Sequence, residues 1–334
     1  MADSALLHNL RRWEVLLFVC LLMVLTYNIT QVSNFLTVRN QVNLFQLSIE
    51  KAIVVLAMAF VIINGEIDLS VASMMGLSAA IVATLHDSGW PTSLAILVAL
   101  SAGAGLGLVN GFFVARVGLS SLAVTLAGYI GFRGLAQVLV EDQSIGGFPE
   151  WFTRLGQKGL IGPIPLSLLI FAVLAVVATV VLHFSGFGRQ TYVIGNSAAV
   201  ARYSGVPVAR MKMTIFTISG LMAALAGVLF AARLGAVRSS TAQGFELDII
   251  TIVLLGGVSI FGGVGTMPGV LISLYLVLNL RNGLTIAGVT GNTQTGIVGL
   301  LLILSVLLPN LGGRFQDRLR RRRSSSAHQV PQPP

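Results

Sequence analysis

Charge is what this chain has least of: Asp, Glu, Lys and Arg make up 10% of its 334 residues, against about 25% in an ordinary soluble domain. A soluble fold so poor in charge would have no water-compatible surface. With 55% hydrophobic residues and a mean hydropathy of +0.87, the solvent must be lipid. Cysteine is nearly absent. Cys20, inside the first apolar run, can form no internal disulfide and reads as a small buried hydrophobe. His8, His86, His183 and His328 are scattered and form no metal constellation. No GxxxxGK[ST] cradles a nucleotide, and no Ser/His/Asp arrangement is suggested by spacing. Catalysis within the chain is therefore not expected, nor is a cofactor or metal. The ladder of membrane carboxylates and histidines that proton-coupled transport would use is also missing.

What is present is apolar and helical. The runs predict an all-α polytopic helical bundle of about ten spans, near 13–30, 43–63, 70–86, 91–114, 118–140, 164–184, 212–232, 247–261, 268–287 and 293–309. The abundant Gly, Ala and Ser suit helices packed closely in a membrane. The N-terminus carries basic residues before an apolar stretch but no small-residue cleavage site, so Trp13–Ile29 reads as a retained first helix. Residues 1–12 are then a cytoplasmic N-terminus, 13–312 the membrane domain, and 313–334 a basic tail expected to be disordered. In that tail Arg314, Arg318 and Arg320–Arg323 stand against Asp317. Directly after the last span, they fix topology and meet anionic lipid rather than nucleic acid. With both termini inside, Arg11, Arg12, Arg116, Arg189, Arg202, Arg210 and Lys212 join them on the cytoplasmic side. Arg39, Lys51, Arg154, Lys158, Arg233, Arg238 and Arg281 fall outside.

Three stretches break the apolar pattern. In IINGEIDLS, Glu66 and Asp68 interrupt one long tract after Gly65. Two uncompensated carboxylates at the bilayer centre would cost roughly 2.5–3.5 kcal/mol each, so they belong at a helix–helix turn at the cytoplasmic end. There Asp68, with Ser70 beyond it, can cap the following helix, and water or basic residues can reach Glu66. In GGVSIFGGVGTMPG, the residues Gly256, Gly257, Gly262, Gly263, Gly265 and Pro268 break a second span pair at its inner end. Such backbone survives at membrane depth only when buried in protein or lining a cavity. Paired interruptions point to moving elements in transporters, with helix packing as the competing account. In the inner loop, 185–212, Asn196 or Ser197 is the expected N-cap of a short helix Ala198–Tyr203, and Gly205 is its stop. This helix is either a receiver of force from a soluble motor or a connector resting on the interface.

Outside these stretches, the connection Glu141–Pro165 carries Phe148 and Trp151 and reads as an interfacial cap or a partner's docking surface. Arg133 is the one clearly intramembrane charge; it either contacts substrate hydroxyls or, the expectation preferred, snorkels outward to the periplasmic interface. Glu246 and Asp248 read as an ordinary helix start near the positive dipole end.

The run GFGRQTYVIGNSAAVARYSGVPVARMK resembles the cytoplasmic loop of permease subunits of ABC importers in the ribose and branched-chain amino acid group. IINGEIDLSVASMMGLSA is similar to that family's GGIDLSVGS signature, and Val253–Ser273 to its second glycine-rich signature. The resemblance covers about residues 10–310. It departs at Asn64-Gly65-Glu66, where many members carry Gly-Gly. It implies a type II ABC importer-like permease of the bacterial inner membrane. Its coupling helix, drawing on Asn196, Ala198, Ala199, Ala201, Arg202, Ser204 and Gly205, would dock on an ATPase. The implied partners are ATP-binding cassette subunits, a second permease chain, identical or homologous, and a periplasmic binding protein. The IGGFP stretch (Ile145–Pro149) and ARYSGVPVARMK look most like permeases for monosaccharides and autoinducer-2. A pentose, hexose or deoxyhexose such as rhamnose is the expected solute. A self-sufficient secondary transporter is the alternative from another class.

Overall fold

A computed structural model of the chain describes residues 2–31, 35–141, 143–157, 159–291, 293–301 and 303. The basic tail 313–334 lies outside the described residues. The first helix, α1 (Ala2–Gln31), runs unbroken through the expected boundary at residue 12. Next come α2 (Val38–Gln46) and α3 (Ile49–Ile63), which meet at 61°, so the expected straight span 43–63 is a bent pair. Beyond the first break lie α4 (Val71–Asp87), α5 (Thr92–Phe112), which ends in a π-helical turn over Phe113–Val117, and α6 (Ser121–Val140). The Glu141–Pro165 connection folds into β1 (Ile145–Gly146), α7 (Glu150–Gln157), β2 (Gly159–Ile161) and β3 (Ile164–Pro165). The remainder is α8 (Leu166–Phe184), α9 (Gly186–Asn196), α10 (Ala198–Tyr203), α11 (Val208–Leu234), β4 (Ala236–Val237), α12 (Phe245–Leu255) and α13 (Met267–Ile286).

Burial sorts these helices by depth. Every residue of α3 is buried, and so is most of α4. Around them α1, α5, α6 and α8 turn large apolar side chains such as Phe18, Leu97, Ile130 and Val176 outward. A bundle as apolar outside as inside is stable only in lipid. The central strut is α11, which packs on α5, α4 and α3. Its approach to α5 is close because Gly103, Gly107 and Gly111 line one face of that helix, where a Cβ would strike α11.

Six helices among the described residues are long and apolar enough to cross a membrane, or seven if the bent α2–α3 pair is one span. The expected count of about ten is not confirmed among the described residues. With 17 residues, α4 is short, and the expected span 247–261 is an 11-residue α12 that stops at Leu255. At 1.5 Å per residue such a helix covers only about half of a roughly 30 Å hydrocarbon core. The expected span 293–309 runs beyond the described residues.

The bundle has two unlike ends. At one, β1 pairs antiparallel with β4, Ile145 opposite Val237, and β2 pairs with β3. Phe148 and Phe152 fold down into the core here, while Trp151 stays exposed. At the other end the two chain breaks, 64–70 and 256–266, meet the end of α9, from which α10 follows.

Candidate functional site

The site is built on α10. Ser197 caps it, its hydroxyl accepting from Val200 N–H at 3.3 Å, and Gly205 ends it with a φ of +79°. Of its residues only Ala201 is fully buried, seated with Ile194 of α9 and with Val208 and Met211 of α11. Ala198 is partly covered. Ala199, Val200, Arg202, Tyr203, Ser204 and Gly205 face out, with Tyr203 94% exposed. A small helix held by one alanine thus presents an almost bare face, with the exposed arginines Arg189 and Arg210 near it in the chain. Of the two N-cap candidates, Ser197 does the capping. Asn196 instead ends α9 and donates to the Tyr192 carbonyl at 3.0 Å and toward the Gly263 carbonyl at 3.5 Å.

Through Asn196 and its neighbour Gly195, the end of α9 just before α10 touches both breaks. Gly195 lies against the carbonyl oxygen of Ile63 and the amide of Gly263, so closely that a Cβ would overlap the Ile63 oxygen. Gly263 N–H donates to that same Ile63 oxygen at 2.8 Å, and Gly262 stacks on Gly65. Gly65, Gly257, Gly262 and Gly263 all hold positive φ, and Gly256 ends α12. The Tyr192 hydroxyl donates to the Gly265 carbonyl at 2.7 Å. Burial pushes its phenol up to about 12, so near neutral pH it remains a protonated donor. Thr266 caps α13, with Pro268 in its first turn, where a missing N–H does no harm. Three stretches far apart in the sequence therefore form one backbone-to-backbone junction.

The two carboxylates of the first break both reach α11. The Lys212 ammonium pairs with Glu66. Asp68, with no exposure, accepts from the Ser70 amide at 3.0 Å, the Ser70 hydroxyl at 2.6 Å and the Ser219 hydroxyl at 2.9 Å. The N-cap position of α4 is Ser70 itself, whose side chain makes no capping bond. Asp68 thus holds the residue before the helix instead of the helix's first turn. Asn110 of α5 donates to the Ser70 hydroxyl at 3.0 Å and completes the buried cluster.

Sequence reasoning missed several polar contacts. At the opposite end Asp248 accepts from Lys51 at 2.9 Å and Arg281 at 2.6 Å, and Glu50 binds Arg233 at 2.7 Å. The start of α12 is therefore no ordinary helix start but a buried charge cluster that ties α3, α11, α12 and α13. Arg133, partly exposed, donates to the carbonyls of Thr241 at 2.6 Å and Ser239 at 3.3 Å. The helix α9 was also unforeseen. Ser185 would have signalled it, since its hydroxyl accepts from Gly188 N–H three residues on.

Residues 40–306 match the family described as branched-chain amino acid transport system / permease component. Among curated proteins the chain is similar to ribose import permease protein RbsC of Escherichia coli strain K12, 32% identical over 295 residues, which covers 87% of this chain and 92% of that one. RbsC of Bacillus subtilis strain 168 is 35% identical over 278 residues, covering 82% and 86%. Autoinducer 2 import system permease protein LsrD of Yersinia enterocolitica is 34% identical over 303 residues, covering 88% and 91%.

Proposed function

Since the chain belongs to the permease family of branched-chain amino acid transport systems, we propose that it is the membrane-spanning subunit of an ABC importer for a monosaccharide in the bacterial inner membrane. The solute would be a pentose, a hexose or a deoxyhexose such as rhamnose. Two permease chains, identical or homologous, line the pathway between them. ATP is hydrolysed on separate cassette subunits, and a periplasmic binding protein delivers the solute. Both termini are cytoplasmic.

One observation carries this reading: α10 stands nearly bare at the end of the molecule where both helix breaks converge. A helix that served only as an interfacial connector has no need to follow directly on α9, whose Gly195 is wedged between Ile63 and Gly263. On this reading Ala198, Ala199, Arg202, Ser204 and Gly205 form the surface that meets the ATPase, with Asn196 at its root, while Ala201, expected in that surface, is buried and anchors the helix to α9 and α11. Force on that surface passes to the two interrupted helix pairs. The 32–35% likeness to ribose permeases supports a sugar. A second reading, import of autoinducer-2, is favoured by the comparable likeness to LsrD.

The test is co-purification with the native cassette subunits in mild detergent, followed by reconstitution with the binding protein. Replacing Ala198–Gly205 by a Gly/Ser linker is expected to release the ATPase and leave membrane insertion intact. Uptake of labelled D-ribose, D-xylose, D-glucose, L-rhamnose or autoinducer-2 should require ATP and every companion. Retained ATPase binding by the linker variant, or ion-driven uptake by this chain alone, overturns the proposal.

A further inference from the structure

The acidic pair in the first break ties that segment to α11 through two separate contacts. Glu66 pairs with Lys212, and Asp68 with Ser219. Lys212 and Ser219 lie two turns apart on one face of α11, the helix that begins directly after α10. The break is thus clamped along α11 at two points. The Asp68 clamp is fully buried and belongs to the polar cluster with Ser70 and Asn110. The Glu66 clamp is the one nearer α10. Its two side chains keep only 13% and 15% of their exposure, and 146 residues separate them in the chain. So shielded, the pair is screened much less than a surface ion pair, and losing one partner strands the other charge.

Other bonds leave the 64–70 segment tied mainly to neighbours that do not lead to α10. Ile67 N–H donates to the Ser121 hydroxyl, and its carbonyl accepts from Thr125, both on α6. The first turns of α11, in contrast, share a small apolar cluster with α10 through Ala201, Val208 and Met211. A displacement of α10 therefore moves the start of α11, and Lys212 with it.

We infer that Glu66 and Lys212 are positioning residues for energy coupling: their ion pair carries nucleotide-driven motion of the α10–α11 corner into the break between α3 and α4. The inference rests on the reading of α10 as the ATPase-docking element. The glycine contact at Gly195 supplies the shared packing. The ion pair supplies the directional grip on the 64–70 segment.

Hydrogen exchange, read by mass spectrometry on the assembled complex with and without ATP and vanadate, tests this without knowledge of the solute. In the natural chain nucleotide should alter exchange in both 198–205 and 64–70. In Glu66→Gln and in Lys212→Gln the response at 198–205 should persist while that at 64–70 falls by about fivefold or more, the lower range of coupling between linked sites. The double exchange Glu66→Lys with Lys212→Glu should restore it. A purely structural pair would alter exchange in both states alike and leave the nucleotide response untouched. A response at 64–70 that survives neutralisation overturns the inference, as does a swap that fails to restore it. Absence of any response at 198–205 in the natural chain would instead overturn the docking assignment. Should a neutral variant fail to assemble, the charge swap alone decides.

Discussion

Gly195 shows how little room the junction leaves for a single residue. Its backbone fills the gap between the Ile63 carbonyl and the Gly263 amide, and both neighbours are main chain that cannot rotate away. Gly195→Ala must push α9 off the breaks. Overpacking of this kind costs typically 1–3 kcal/mol, here toward the upper part of that range. Thermal unfolding in detergent should show a clear loss of stability. Gly131→Ala on α6, where an added Cβ meets nothing within 4 Å, should be neutral or slightly stabilising, since alanine is the better helix former. Equal behaviour of the two variants would refute the junction. Which residues would meet here was only partly legible. The string NSAAVARYSG announces its own helix because caps and stops are local chemistry. That Asn196 would turn to Gly263 instead of capping the helix depends on a contact across 67 residues, and nothing local encodes it.

At the scale of elements, the decisive fact is that α12, and α3 without α2, are too short to cross the bilayer alone. Their ends must be held by something other than lipid. At the end away from the breaks, Glu50–Arg233 and Lys51–Asp248–Arg281 do the holding, with Lys51 also over the Phe245 ring at 4.6 Å. Asp248 is 7% exposed and faces two cations. Asp248→Asn leaves both without their counter-charge, and breaking such a buried pair costs about 3–5 kcal/mol. Glu150→Gln, which removes the exposed Glu150–Arg154 pair on α7, should change stability by less than about 1 kcal/mol. Comparing the two by thermal unfolding checks the claim, and a mild Asp248→Asn would sink it. The sequence displays the apolar runs plainly but hides these ties. Lys51 and Asp248 are 197 residues apart. The bend between α2 and α3 is hidden too, because uniformly apolar runs carry no periodic signal that marks where a helix turns aside.

For the whole molecule the question is which end faces the cytoplasm. Arginine placement argues for the end bearing α9, α10 and the breaks: Arg189, Arg202, Arg210 and Arg116 are all exposed there or on the turn after α5. The opposite end keeps its cations largely in ion pairs, as with Arg233, Arg281 and Arg154. Only the former orientation lets α10 reach an ATPase. The chain suits a direct measurement, since its single cysteine, Cys20, is partly covered within α1. In a Cys20→Ser background, Tyr203→Cys on α10 and Trp151→Cys on α7 each place a thiol at an exposed position at one end of the bundle. A membrane-impermeant maleimide applied to intact spheroplasts should label Trp151→Cys and leave Tyr203→Cys untouched until the membrane is permeabilised. The reverse pattern would put α10 in the periplasm, out of reach of any cytosolic motor, and the transport reading would fall with it.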